Sequence, residues 1–388
     1  MRYITDNVLK NITFEEEFLI KLFNTKEFKR LARINQLGLT NFQFPGATHN
    51  RLSHSLGVYQ LAKKFLKKFQ EDNIKIDRLT YQAILASALL HDIGHGPFSH
   101  LFEQISKINH EKYSLKIIND QSTEINKILR EENDKLLEAV NLILQGKYHL
   151  DWVNQLISSE IDVDRLDYLL RDSYHVGLDY GKIEYNWLIR NAKIIDNKLA
   201  FSQKAISTIE AMILGRYHMN KVVYNSPKNI ACSILFIWFF KRLKYLFNLN
   251  KLENDYQEII PLLKEEELST EKFLNLDDNT IWCFIKKAFS EKDQILHKIS
   301  THLIYQKRAT VCDIDELKNM DAKEEGFTWE KIDLKTSFSF YQESNHSKEA
   351  LILFNDHKIK KLRDVSTVIN IKVNDYRNLK TEKIGLKI

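Results

Sequence analysis

Along most of the chain apolar residues recur three or four positions apart, the spacing of helices that bury one face. Over 13–35, Phe14, Phe18 and Leu22, then Phe28, Leu31 and Ile34, predict helices. Residues 38–51, with Pro45 beside Gly46, read as a loop ending near His54. Val58, Leu61, Ala62, Phe65, Leu66 and Phe69 then mark one helical face, and Lys63, Lys64, Lys67 and Lys68 form its solvated side. The Ala- and Leu-rich run 81–90 predicts a buried helix, interrupted after Asp92 by Gly94, Gly96 and Pro97. Further helices are expected through Ile117, over 129–144, 153–158 and 163–170, and from Ile206 through 212–223. An apolar helix then follows Pro227 into Leu249. Near the carboxyl end, 336–341, 350–354 and 368–373 have the short apolar or alternating pattern of strands. The expected fold is mainly α, with a helical amino-terminal domain over 1–230 and a smaller mixed α/β region over 231–388.

Composition sharpens this division. Nine of the 13 histidines occur by His218, and glycine is absent over 216–325, so the chemistry is concentrated in the amino-terminal part. With only 11 Gly and 4 Pro in 388 residues, collagen-like, mucin-like and linker-dominated readings are excluded. The longest nearly apolar run, 230–240, falls short of the about 20 residues a bilayer span needs. No signal pattern opens the chain, and the expectation is a cytoplasmic protein with no membrane partner. A net charge of +5 suits phosphate-bearing partners and leaves nucleic acid an open question. Cys232, Cys283 and Cys312 form neither a disulfide framework nor a CxxC ligand motif, as in a reducing compartment.

The candidate chemistry lies in three separated strings. The first runs Arg51, Leu52, Ser53, His54, Ser55, Leu56, Gly57 at an expected helix start. The second is His91, Asp92, Ile93, Gly94, His95, Gly96, Pro97, Phe98, Ser99, His100. Adjacent His91 and Asp92 offer imidazole nitrogen and carboxylate oxygen, donors suited to a divalent metal with open positions for water. The third, from Ile161 to Asp172, puts acids into an apolar segment. Asp164 lies three residues from Asp167 and four from Tyr168, so one helical side can hold all three. Buried carboxylates demand counterions or metals, and a purely structural network of caps and salt bridges is the competing reading.

Together these strings resemble those of the HD-domain phosphohydrolases. The nearest branch holds the bacterial deoxynucleotide triphosphohydrolases and the animal sterile-alpha-motif-and-HD-domain dNTP hydrolase. The resemblance is strong over 1–230, with core motifs in 51–172, and weak beyond. It implies an HD-domain helical core whose metal ligands are His54, His91, Asp92 and Asp164. It implies a divalent ion, iron, manganese or magnesium, with room for a second. It also implies that His95 contacts phosphate or supports the metal, that His100 lies in the active site, and that His110 paired with Glu111 moves a proton. Read alone, His95 fits a helix cap and His110 an ordinary surface histidine.

For the substrate, Arg51 and Arg165 can meet phosphate oxygens, and Tyr168 can pack against a sugar. Gln36 resembles a base- or sugar-contacting glutamine of the family, and Arg216 and Tyr224 resemble its later contacts. Core packing and local salt bridges are the alternatives for these tyrosines and arginines. Tyr224, Asn225, Ser226 and Pro227 stand where animal members resemble Tyr-Gln-His-Lys, which leaves base choice open. No sterile-alpha-motif segment is recognisable. The implied activity is metal-dependent hydrolysis of dNTPs to deoxynucleoside and triphosphate by a homodimer or homotetramer, with a nucleotide activator compatible with it. The alternatives are a phosphodiesterase or phosphatase for another nucleotide, and a nucleotide-sensing protein with a weakly active site.

Overall fold

Four of the helices that carry this chemistry begin at residues suited to end a loop. The side chains of Asn50, Asp77, Asn109 and Asp162 accept backbone N–H groups of Ser53, Thr80, Lys112 and Arg165, satisfying donors that a helix start leaves unpaired. They open helices Arg51–Glu71, Arg78–Leu90, His110–Asn119 and Val163–Val176. The computed structural model describes residues 2–307, 309–313, 349–369 and 384–387. It is mainly α, as the periodicity predicts. Helix Arg51–Glu71 packs against both Arg78–Leu90 and Val163–Val176, so the three strings meet where these helices start or end.

Some boundaries differ from those read off the periodicity. Phe14 lies not in a helix but in strand Lys10–Phe14, paired antiparallel with Arg2–Asp6, where its ring stacks on Tyr59 at 4.6 Å. Helix Glu17–Asn24 begins only after it. The expected helix over 129–144 is two, Glu124–Glu132 and Leu136–Leu144. A hairpin, Ala192–Ile195 with Lys198–Ser202, was not expected. Its signal is Asp196-Asn197, both at positive φ (+48° and +61°), the residues a tight two-residue hairpin turn favours.

Strand Leu351–Leu353, within the expected 350–354, adds to that hairpin in parallel, and Ile359–Lys361 pairs antiparallel beyond it. Carboxyl-terminal residues thus complete a sheet begun near residue 192. Of the other expected strands, 336–341 lies outside the described residues, as does 370–373, while 368 and 369 lie in a turn. Thr310–Asp313 pairs antiparallel with Ile384–Lys387. A continuous apolar core runs through the fold from Leu9 to Ile369. Among the described residues no helix is long and apolar enough to cross a membrane.

Candidate metal and phosphate site

His54 sits in the first turn of Arg51–Glu71, His91 at the end of Arg78–Leu90, and Asp164 in the first turn of Val163–Val176. Close approach of the first and third helices depends on Gly57: a Cβ there would stand 1.8 Å from Asp167 Oδ1. The Nε2 atoms of His54 and His91 are 3.3 Å apart. Asp164 Oδ1 is 3.0 Å from His54 Nε2 and 3.7 Å from that of His91. Asp92 approaches the same two nitrogens at 3.6 and 3.4 Å.

Tautomers follow from the outer partners. Nδ1 of His91 donates to Ala88 O at 3.0 Å and Nδ1 of His54 to Asp167 Oδ2 at 2.9 Å, which turns both Nε2 atoms toward the carboxylates. Asp167 is held in turn by Arg171 Nε and Nη2 at 2.8 and 2.9 Å, and Arg171 also donates to Asp6. Burial lowers the affinity of His54 for a proton, but Asp164, Asp167 and Asp92 outweigh it and push the imidazole up to about 10. The same histidines hold Asp164 far below the usual carboxylate range against its burial. The pocket therefore calls for positive charge, and imidazole nitrogens with carboxylate oxygens at these separations could hold a divalent cation.

Arg51 is buried against this group. It donates from Nη1 to Asp92 Oδ2 (2.6 Å), from Nε to Ser99 Oγ (2.9 Å) and from Nη2 to Gln36 O (3.4 Å). Asp92 also takes His95 Nε2 at 3.3 Å, which joins the first cluster to a second. There His95 and His110 stack at 3.8 Å, and Glu103 Oε1 accepts from Nδ1 of both His110 and His100 at 2.8 Å. Burial, with the Arg51 and His110 charges, holds His95 well below the usual imidazole range. Its Nδ1 is buried without a hydrogen-bond partner.

The acid that bonds His110 in the structure is Glu103 and not its expected neighbour Glu111. Glu111 follows His110 along a helix and is exposed, whereas Glu103 reaches it across the turn between two helices. The three-residue spacing of His100 and Glu103 on helix His100–Ser106 is the local signal that finds it. Burial acts to raise the Glu103 carboxyl, but its bonds to His100 and His110 prevail and hold it at about 2. A carboxyl held below its unfolded value stabilises the fold above that value and ceases to as pH falls through the folded one. The melting-temperature advantage over Glu103→Gln should therefore be full above pH 4.5 and vanish on descent to about 2. Scanning calorimetry at stepped pH reads it, and an advantage that survives the descent contradicts the assignment.

The remaining candidates form neighbouring groups. Arg216 Nη1 and Arg165 Nη1 lie 3.4 and 3.9 Å from the buried Glu160 carboxylate, which the sequence pattern does not single out. Tyr168, half-buried, stands close enough for both arginines to oppose the burial that raises its phenol to about 12. Tyr224 donates to Asp172 Oδ2 at 2.6 Å, and Asp172 Oδ1 lies 2.7 Å from His49 Nε2. Gln36 is buried, its Oε1 without a hydrogen-bond partner.

Residues 51–172 match the family model described as HD domain. Over 95% of this chain and 94% of its own length, uncharacterized protein MG461 of Mycoplasma genitalium is 31% identical. A crystal structure of a phosphohydrolase from Bacteroides thetaiotaomicron superposes with a TM-score of 0.83 and 26% identity, covering 100% of this chain and 99% of that one. The chain belongs to the HD-domain phosphohydrolases. Within its HD domain lie His54, His91, Asp92 and Asp164, and the His95, His100, Glu103 and His110 cluster; Gln36, Arg216 and Tyr224 fall outside. Among named relatives, the chicken deoxynucleoside triphosphate triphosphohydrolase SAMHD1 is 26% identical over 74% of this chain and 53% of its own length. A Dictyostelium discoideum homologue of the same name is 26% identical over 72% of this chain and 59% of its own.

Proposed function

We propose that this HD-domain phosphohydrolase cleaves deoxynucleoside triphosphates to deoxynucleoside and inorganic triphosphate. One observation carries the reading: a candidate metal cluster and a histidine–carboxylate pair lie side by side, joined through Asp92 and His95, with Arg51 between them. The triphosphohydrolase names of the chicken and Dictyostelium relatives support the choice of substrate. His54, His91, Asp92 and Asp164 would hold the ion, iron, manganese or magnesium. A bound divalent ion supplies Lewis acidity and a more acidic bound water.

The chain's own groups do the rest. Arg51 offsets negative charge on phosphoryl oxygens beside Asp92. Arg165 and Arg216 supply further positive charge, and Tyr168 borders the sugar. His110, with Nδ1 held by Glu103, has Nε2 free to protonate the departing sugar oxygen. His95 bridges ligand and acid, meeting Asp92 through Nε2 and stacking on His110.

Metal-defined protein incubated with each dNTP, singly and as a mixture, should release deoxynucleoside and triphosphate, resolved by chromatography. Activity confined to the mixture would add nucleotide activation to the reading, as the expected homo-oligomer allows. Cleavage of a cyclic nucleotide or a nucleoside monophosphate, with every dNTP left intact under every metal, would transfer the assignment to a phosphodiesterase or phosphatase.

A further inference from the structure

Helix Asp278–Phe289, from the carboxyl-terminal part of the chain, reaches the site through its first side chain. Asp278 is buried, and its two oxygens accept the Phe98 N–H at 2.6 Å and the Asn35 N–H at 2.9 Å. Those amides flank Ser99, whose hydroxyl donates to Asn35 O at 2.6 Å and accepts from Arg51 Nε. Arg51 then pairs with Asp92. One buried carboxylate thus ties together both backbone segments that orient the guanidinium.

The turn it holds has one bond of its own, from the Ser99 N–H to Gly96 O at 3.0 Å, but a conformation that needs support from outside. Phe98 and Ser99 are consecutive residues at φ +56° and +58°, a region that residues other than glycine keep only where the surroundings impose it. The Phe98 ring is packed between Phe236 and Trp282, at 5.0 and 5.7 Å. Fully buried Arg30 adds a second tie, donating from Nε to Leu276 O and from Nη1 to His95 O, both at 2.8 Å. Every one of these outside restraints on 95–99 joins it to residues distant in sequence, and 276–278 takes part in two.

We propose that Asp278 is a positioning residue for phosphohydrolysis: by clasping the Phe98 and Asn35 amides it fixes Ser99 and so aims Arg51 at the reacting phosphate. Its hydrogen bonds go to those two amides, and none is made to His54, His91, Asp92 or Asp164. The proposal rests on the role given to Arg51 above, and not on which nucleotide is cleaved. Asp277, the adjacent carboxylate, supplies a control, because it caps the same helix through Thr280 N and pairs with Arg33 without contacting 95–99.

The test is a double-mutant cycle in the full-length, metal-loaded protein, read by turnover of whichever phosphoester the wild type cleaves and by amide exchange over 97–99. Asp278→Ala should lower kcat/KM by about 10–100-fold with metal content unchanged, the scale on which small misplacements of an orienting group act. Its exchange over 97–99 should rise. In an Arg51→Ala background the same change should cost less than about threefold, because the group it orients is gone. Asp277→Ala should lower the melting temperature while leaving kcat and the exchange over 97–99 near wild type. Should Asp278→Ala not fold, Asp278→Asn, of equal size but with an amide nitrogen facing a backbone N–H, serves in its place. Equal losses in both backgrounds, or unchanged exchange over 97–99, would overturn the positioning role. The exchange is read without substrate, so a wild type that cleaves no dNTP ends the substrate reading and leaves this test standing.

Discussion

Asp92→Ala protein is expected to lose roughly 1,000-fold or more in turnover, about 4 kcal/mol of transition-state stabilisation. The size follows from how many roles Asp92 has. Its carboxylate approaches both His54 and His91 in the candidate metal cluster, accepts from the buried Arg51 guanidinium, and meets the Nε2 of His95. Removing it deletes a proposed ligand, frees Arg51 from the orientation used against phosphate, and strands a buried cation. The stranded charge should cost about 3–5 kcal/mol of stability in the metal-free protein. Asp92→Asn separates the effects: equal in size and able to accept from Arg51, it should recover much of the stability while staying inactive. Steady-state kinetics, metal analysis and denaturant unfolding on both variants make the comparison. Full turnover and full metal content in Asp92→Ala would remove Asp92 from the site.

Gly57→Ala is expected to be severely destabilising for a single added methyl group. The added Cβ would lie 1.8 Å from Asp167 Oδ1, 2.4 Å from its Cγ and 2.5 Å from Arg171 Nη2. Neither neighbour can give way cheaply. Asp167 and Arg171 form a fully buried ion pair, which also donates to Asp6 and supports His54 Nδ1. Disrupting a buried pair costs about 3–5 kcal/mol. Losing the support behind His54 should weaken metal binding about 10–100-fold besides. Gly146→Ala is the control, since that glycine has φ +67° but an added methyl there would meet nothing within 4 Å; it should cost about 1–2 kcal/mol from backbone strain alone. Urea midpoints and metal titrations of the two variants distinguish clash from strain. Equal losses would mean that the helix approach at Gly57 is not as close as described.

Much of this architecture is written locally. Asn50, Asp77, Asn109 and Asp162 cap helices from positions readable in the sequence, and the apolar face from Val58 to Phe69 is buried as its spacing requires. The strings around His54, His91 and Asp164 named the residues that the fold gathers into one donor group, because each string sits at a helix end and carries chemistry with few other uses. The amino-terminal hairpin was less legible, since Phe14 satisfies a helical spacing and a strand pairing equally well and only its partner Arg2 decides between them.

The order of residues alone is therefore enough to mark many of the helical segments and to single out the side chains whose chemistry suits a metal or a phosphate. It took the folded chain to pair His110 with Glu103 rather than with Glu111, to stand Glu160 between Arg165 and Arg216, and to make Asp278 hold a turn 180 residues away. The cause of this division is range. Helical periodicity and capping act over about four residues, so the chain carries them visibly. The partner of a buried charge is chosen by whatever packing brings within hydrogen-bond reach, and a sequence records that choice only through the whole core that enforces it.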